Sequence, residues 1–108
     1  MNVKDFPVVK EVTSTLKKLY GNRLSKIILY GSFARGEQHE NSDIDFMVLL
    51  NDKEVSPYRE IDFYAEKISH LSDKYKIEIS VKAANVKLLE NNNNLLARFI
   101  NKEGMFIA

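Results

Sequence analysis

Apolar positions along this chain follow two alternating periods, and the changes of period mark its elements. Val9, Val12, Leu16, Leu19 and Tyr20 recur at helical spacing, with Pro7 ahead of them and Gly21 just behind. That pattern predicts an amphipathic helix with a proline start and a glycine stop. Ile27 to Tyr30 is a short apolar run closed by Gly31 and predicts a buried strand. Phe33 to Glu37 can form a short helical turn, and 38–42 reads as a polar loop. From Asp43 to Leu50, Ile44, Phe46, Val48 and Leu50 fall on one face of a strand, and Asp45, Met47 and Leu49 on the other. Both faces turn apolar beyond Asp45, which predicts a central strand covered on both sides.

The second half repeats the alternation. After a polar connection over 51–56, Pro57 can open a helix that ends near Lys74, with Ile61, Tyr64, Ala65, Ile68 and Leu71 as its inward stripe. Tyr75 to Lys82 predicts a third strand, with Ile77, Ile79 and Val81 opposite Glu78, Ser80 and Lys82. One asparagine of 91–94 caps a last helix whose Leu95, Leu96, Phe99 and Ile100 pack inward. Gly104 ends that helix, and 105–108 returns extended. The expected fold is α/β, a small mixed β-sheet flanked by helices. The first two strands are joined by a return that sets Gly31-Ser32 beside Asp43 and Asp45. The second and third run parallel through a right-handed crossover.

Composition narrows the class. At 108 residues the chain is expected to be a single domain, 1–108, with one core. A net charge of +1 provides no domain-wide basic excess, so no direct binding of nucleic acid is expected. Cysteine is absent, which excludes disulfides and thiolate metal sites and suits a reducing compartment. The N-terminus lacks an apolar signal core, and no run approaches the ~18 apolar residues of a membrane span. A cytoplasmic protein without membrane attachment is expected.

The candidate chemistry lies between the first two strands. Asp43 and Asp45 are two residues apart on a strand, so their carboxylates leave the same face, about 6–7 Å apart along the chain. Such a pair can bridge two oxygen-seeking cations that also touch phosphate oxygens. It also fits a plain polar strand end. Gly31 allows the backbone to turn sharply and approach a ligand, and Ser32 adds a hydroxyl and opens a short helix. A simple strand-to-helix turn would use the same residues. Glu78, on the polar face of the third strand, is the candidate third carboxylate, as metal ligand or general base. A solvated strand face is the alternative. His39 and His70 fit solvated and structural roles, and Lys82 could meet a phosphate or stay in water.

Gly31-Ser32 followed by Asp43-x-Asp45 resembles the signature of the DNA polymerase β-type nucleotidyltransferase superfamily. The fuller string Tyr30-Gly-Ser-Phe-Ala-Arg-Gly36, with Asn41-Ser-Asp-Ile-Asp45, resembles the minimal nucleotidyltransferases, antitoxin-like partners of HEPN-domain toxins. The likeness extends to the strand around Glu78 and to the ending 99–107, so it covers nearly the whole chain. It implies that Gly31, Ser32 and Arg35 bind nucleotide phosphates, and that Asp43, Asp45 and Glu78 hold magnesium, two ions in all, and carry catalysis. Arg35 fits equally a salt bridge that steadies its loop. The substrate implied is ATP. The acceptor is a hydroxyl, a tyrosine of a HEPN-domain protein encoded nearby and held in a hetero-oligomer, since so small a domain has little chain left for an acceptor pocket. Glu78 departs from the family, which more often has aspartate there. That departure leaves open a rival from another class, a catalytically weak or inactive binding module that neutralises or supports its partner by contact.

Overall fold

The computed structural model describes residues 2–36, 43–91 and 93–108. Helix α1 spans Pro7–Tyr20, strand β1 Leu24–Tyr30, helix α2 Ser32–Arg35 and strand β2 Ile44–Leu50. Helix α3 covers Pro57–Tyr75, strand β3 Ile79–Asn85, helix α4 Leu95–Glu103 and strand β4 Met105–Phe106. Short 3-10 turns occupy Val3–Asp5, Gly21–Arg23 and Val86–Glu90. The predicted polar loop over 38–42, His39 included, lies outside the described residues.

The four strands form one mixed sheet in the order β3-β2-β1-β4. β1 and β2 are antiparallel, with Tyr30 opposite Asp45 and Leu29 opposite Phe46. β2 and β3 are parallel, with Ile44 opposite Ile79 and Asp45 opposite Ser80. β4 closes the other side antiparallel to β1. The expected return and the expected parallel pair are both present, and β2 lies inside the sheet with Phe46 to Leu50 all buried. Alternation divides the core. Ile27, Leu29, Phe46 and Val48 pack with the apolar stripes of α1 and α3. Ile28, Tyr30, Met47 and Leu49 pack under Ile100 of α4.

Three expectations need correction. The third strand begins at Ile79 rather than Tyr75, because α3 runs on to Tyr75 and stops at Lys76 in a left-handed conformation (φ 56°). Glu78 therefore stands one residue ahead of the strand. In α3, Ile61 and Ala65 are exposed, and Tyr64, Ile68 and Leu71 form the buried stripe. In α4, Leu95 and Phe99 point outward, 75% and 45% exposed, and Ala97 and Ile100 are buried. Nine residues laid over β1 can bury one narrow stripe, and Ala97 and Ile100 take it with Leu96 partly buried beside them. The cap is as expected: the Asn94 side chain accepts the Ala97 N–H at 3.0 Å.

The far end of the sheet from Gly31 is fixed by charge. Arg23 binds Asp52 at 3.1 Å and Glu60 at 2.7 Å, joining the turn before β1 to the β2–α3 connection and to α3. The open edge of β3 is covered by α3 side chains. The Tyr64 hydroxyl donates to the Val81 carbonyl, and the Ser72 hydroxyl accepts the Ile79 N–H. No described helix is long and apolar enough to cross a membrane.

Candidate active site

β1 and β2 run in opposite directions, so the end of one lies beside the beginning of the other. The Tyr30–Asp45 pair is the last rung of this ladder, and Gly31 comes next. Gly31 has φ 77° and ψ −158°, a backbone state that glycine alone enters without strain. A Cβ built there would sit 2.5 Å from Oδ2 of Asp45. The glycine thus meets both demands of the position, a turn into α2 and room for the Asp45 carboxylate.

α2 is a single turn opened by Gly31, whose carbonyl accepts the Arg35 N–H at 3.2 Å. The Ser32 side chain does not cap it, and its hydroxyl has no partner among the described residues. Gly36, with φ 71°, closes the turn. Phe33 is buried and meets the Phe6 ring edge-on at 6.3 Å, which anchors α2 to the core. Arg35 Nη1 lies 2.9 Å from Glu103 Oε2, so the turn is also tied to the end of α4. Arg35 is engaged in a salt bridge of the kind its sequence context allowed.

Asp43 is exposed immediately before β2, and Asp45 is half-buried on the strand. Burial pushes the Asp45 carboxyl above the ordinary carboxylate value, the negative charge of Asp43 pushes it further, and Lys82 pulls it back. Tyr30, opposite Asp45, is pushed up to about 12, first by burial and then by the Asp45 charge. Its hydroxyl stays protonated at neutral pH.

Glu78 adjoins this end of the sheet through its backbone, its carbonyl accepting the Ile44 N–H at 2.9 Å. The residue is exposed, and it is among those bordering a cavity of about 610 Å3 between α3 and the start of β3, with Tyr64, Ser72 and Lys76. Among the described residues no three acidic or histidine side chains come close enough to hold an ion together. Gly31, Ser32, Asp43 and Asp45 are therefore brought to one place, and Glu78 adjoins them through its backbone without completing a three-carboxylate metal cluster among the described residues. The donors that do converge suit a hard divalent cation. They are two carboxylates, one of them half-buried beside the other, with their mutual repulsion eased only in part by Lys82. Lys82, a candidate phosphate contact in the sequence, acts on Asp45, and the structure adds Tyr30 to that neighbourhood. Strand alternation was the signal for Lys82, which shares the parity of Glu78 and Ser80.

The family described as "Polymerase beta, Nucleotidyltransferase" matches residues 10–108. Two Methanocaldococcus jannaschii proteins, each named "Putative protein adenylyltransferase", are similar in sequence. MJ0141 is 34% identical over 73 residues, 68% of this chain and 72% of the relative. MJ1379 is 39% identical over 71 residues, 61% of this chain and 71% of the relative. Among solved structures, a mutant of the toxin–antitoxin complex MntA-HpeT contains a similar chain, with TM-score 0.66 and 19% identity over 92% of this chain and 70% of that one. A toxin–antitoxin complex with AMP-PNP gives TM-score 0.60 and 23% identity over 88% and 71%. At those identities the structures speak for the fold, and the sequence match carries the assignment. With the Gly31-Ser32 turn set against the Asp43 and Asp45 strand, the chain belongs to the polymerase beta nucleotidyltransferase family.

Proposed function

We propose that this domain transfers AMP from ATP to a hydroxyl of a partner protein, a tyrosine of a HEPN-type toxin, and so acts as an antitoxin. The observation that carries the reading is the close approach of Gly31 to Asp45, which sets the turn into α2 against a carboxylate pair. The relatives named as protein adenylyltransferases and the fold shared with toxin–antitoxin chains support the same reaction and the same kind of partner.

In this reading Gly31 and Ser32 receive the nucleotide phosphates on backbone amides and a free hydroxyl. Asp43 and Asp45 hold magnesium, which when bound stabilises the charge on the entering and departing oxygens. The acceptor oxygen attacks the α-phosphorus, the bond to the β-phosphate breaks, and pyrophosphate leaves. Glu78, the candidate general base, takes the hydroxyl proton. Holding the reactants in line supplies much of the rate.

Intact-mass analysis tests this. The domain, ATP, magnesium and the HEPN-domain protein encoded beside it are incubated together. One or more AMP increments on a tyrosine of the partner are expected. An unmodified partner with ATP bound to the domain counts against transfer and favours the rival, a binding module that neutralises by contact. The absence of a three-carboxylate metal cluster among the described residues is the observation that favours the rival. Asp43→Asn with Asp45→Asn separates the two: transfer is lost in the enzyme, and neutralisation persists in the binder.

A further inference from the structure

β3 alternates, so Ser80 and Lys82 share a face of the sheet with their β2 partners Asp45 and Met47. That face is apolar and covered where Ile28, Tyr30, Met47 and Leu49 lie under Ile100, and the cover reaches Ala84 on β3. It does not reach Lys82, which is exposed, and Ser80 is only half-buried. The uncovered part of this face therefore carries Asp45, Ser80 and Lys82 together.

Lys82 has no hydrogen bond or ion pair among the described residues. It stands two residues beyond Ser80, the β3 partner of Asp45, on the same face of the sheet. A lysine ammonium on a flexible stem, open to water and beside a carboxylate pair, suits a phosphate oxygen once those carboxylates are neutralised. The positions across the sheet define the direction of approach. Gly31 follows Tyr30, the β1 partner of Asp45, while on β3 the partner is Ser80 and Lys82 comes two residues later on the same face, so Gly31 and the Ser80–Lys82 strip lie on opposite sides of the β2 strand that carries Asp45.

Resting on the nucleotide-transfer reading above, we propose that Lys82 binds the phosphates of the nucleoside triphosphate from the β3 side, opposite Gly31-Ser32. Lys82 then acts as a substrate-binding residue that sets nucleotide affinity, with Ser80 beside it on the same strip.

Calorimetric titration with magnesium-ATP of the wild type and of Lys82→Ala, Lys82→Met and Lys82→Arg tests the proposal. Lys17→Ala serves as the control, since it makes the same change of net charge on exposed α1. Expected are losses of affinity of about tenfold or more in the Ala and Met variants, the size of a lost charge-assisted hydrogen bond. Arg should recover most of the loss, Lys17→Ala should bind like wild type, and thermal melts of all four variants should match wild type. Wild-type affinity in Lys82→Met overturns the inference and leaves the transfer reading standing. The inference also fails if Lys17→Ala loses as much, or if weaker binding tracks a lower melting temperature. Absence of ATP binding by the wild type overturns both.

Discussion

Gly31 and Asp45 approach so closely that a side chain on the first would displace the carboxylate of the second, with 2.5 Å between a Cβ at Gly31 and Asp45 Oδ2. The turn and the strand beside it are thus one device. Gly31→Ala should suffer twice. Its φ of 77° becomes strained, costing about 1–3 kcal/mol of stability. The displaced carboxylate should lower transfer by about 100-fold, the scale of a misplacement of roughly an ångström. Denaturant melts and transfer rates on the same samples check both effects. Activity that falls only in proportion to the folded fraction would mean the close approach has no catalytic consequence.

The half-buried Asp45 charge, beside that of Asp43, opposes folding when no cation is bound. A carboxyl pushed above its unfolded value binds its proton more tightly in the folded state. Its contribution to stability is therefore complete below the unfolded value and is lost as pH rises through the folded one. At neutral pH the ionised group is a net cost. Asp43→Asn with Asp45→Asn should raise the metal-free melting temperature at pH 7, and the gain should shrink as the pH falls toward the ordinary carboxylate value. Magnesium should raise the melting temperature of the wild type and leave the double variant unchanged. Melts at several pH values, with and without magnesium, read all three outcomes.

Much of this arrangement was legible in the sequence because strand alternation is strict. A slip of one residue would have turned Asp45 to the face that packs under α1 and α3, so the register of β2 was favoured by the one charged side chain on the strand. The return between β1 and β2 followed from the need to unite Gly31 with Asp45. Helical spacing was less informative. It placed Leu95 and Phe99 on the stripe of Leu96 and Ile100, and only the width of sheet beneath α4 decides which residues are covered. The start of β3 was hidden because Ile77 fits a helix stripe as well as a strand, and the turn at Lys76 uses a left-handed lysine where glycine would have signalled it. Glu78 moved with that boundary.

Tyr64 holds the exposed edge of the sheet. Its buried hydroxyl donates to the Val81 carbonyl, on the edge strand of the sheet formed by the described residues. Tyr64→Phe leaves that carbonyl unpaired beneath α3 and should cost about 1–2 kcal/mol. Amide exchange should quicken along β3 and little in β1. Equal acceleration in both strands would mean that α3 stabilises the sheet as a whole rather than through this bond.

The ion pairs of Arg23 provide a variant in which stability and chemistry should separate. Glu60 is 7% exposed, and Arg23 Nη2 at 2.7 Å is its counter-ion, itself shared with Asp52. Arg23→Ala leaves a buried carboxylate without its cation. A fully buried pair broken in this way costs about 3–5 kcal/mol, and the partial exposure of Arg23 reduces the expectation to roughly 1–3 kcal/mol. The cluster sits where β1 begins and β2 ends, and Gly31 and Asp45 lie at the opposite ends of the same strands. Seven strand residues separate them by about 20 Å. Transfer per folded molecule should therefore match wild type below the melting transition, and the melting temperature should fall. A loss of transfer at full folding would show that the far end of the sheet positions the carboxylates, and that α3, through Glu60, belongs to the site.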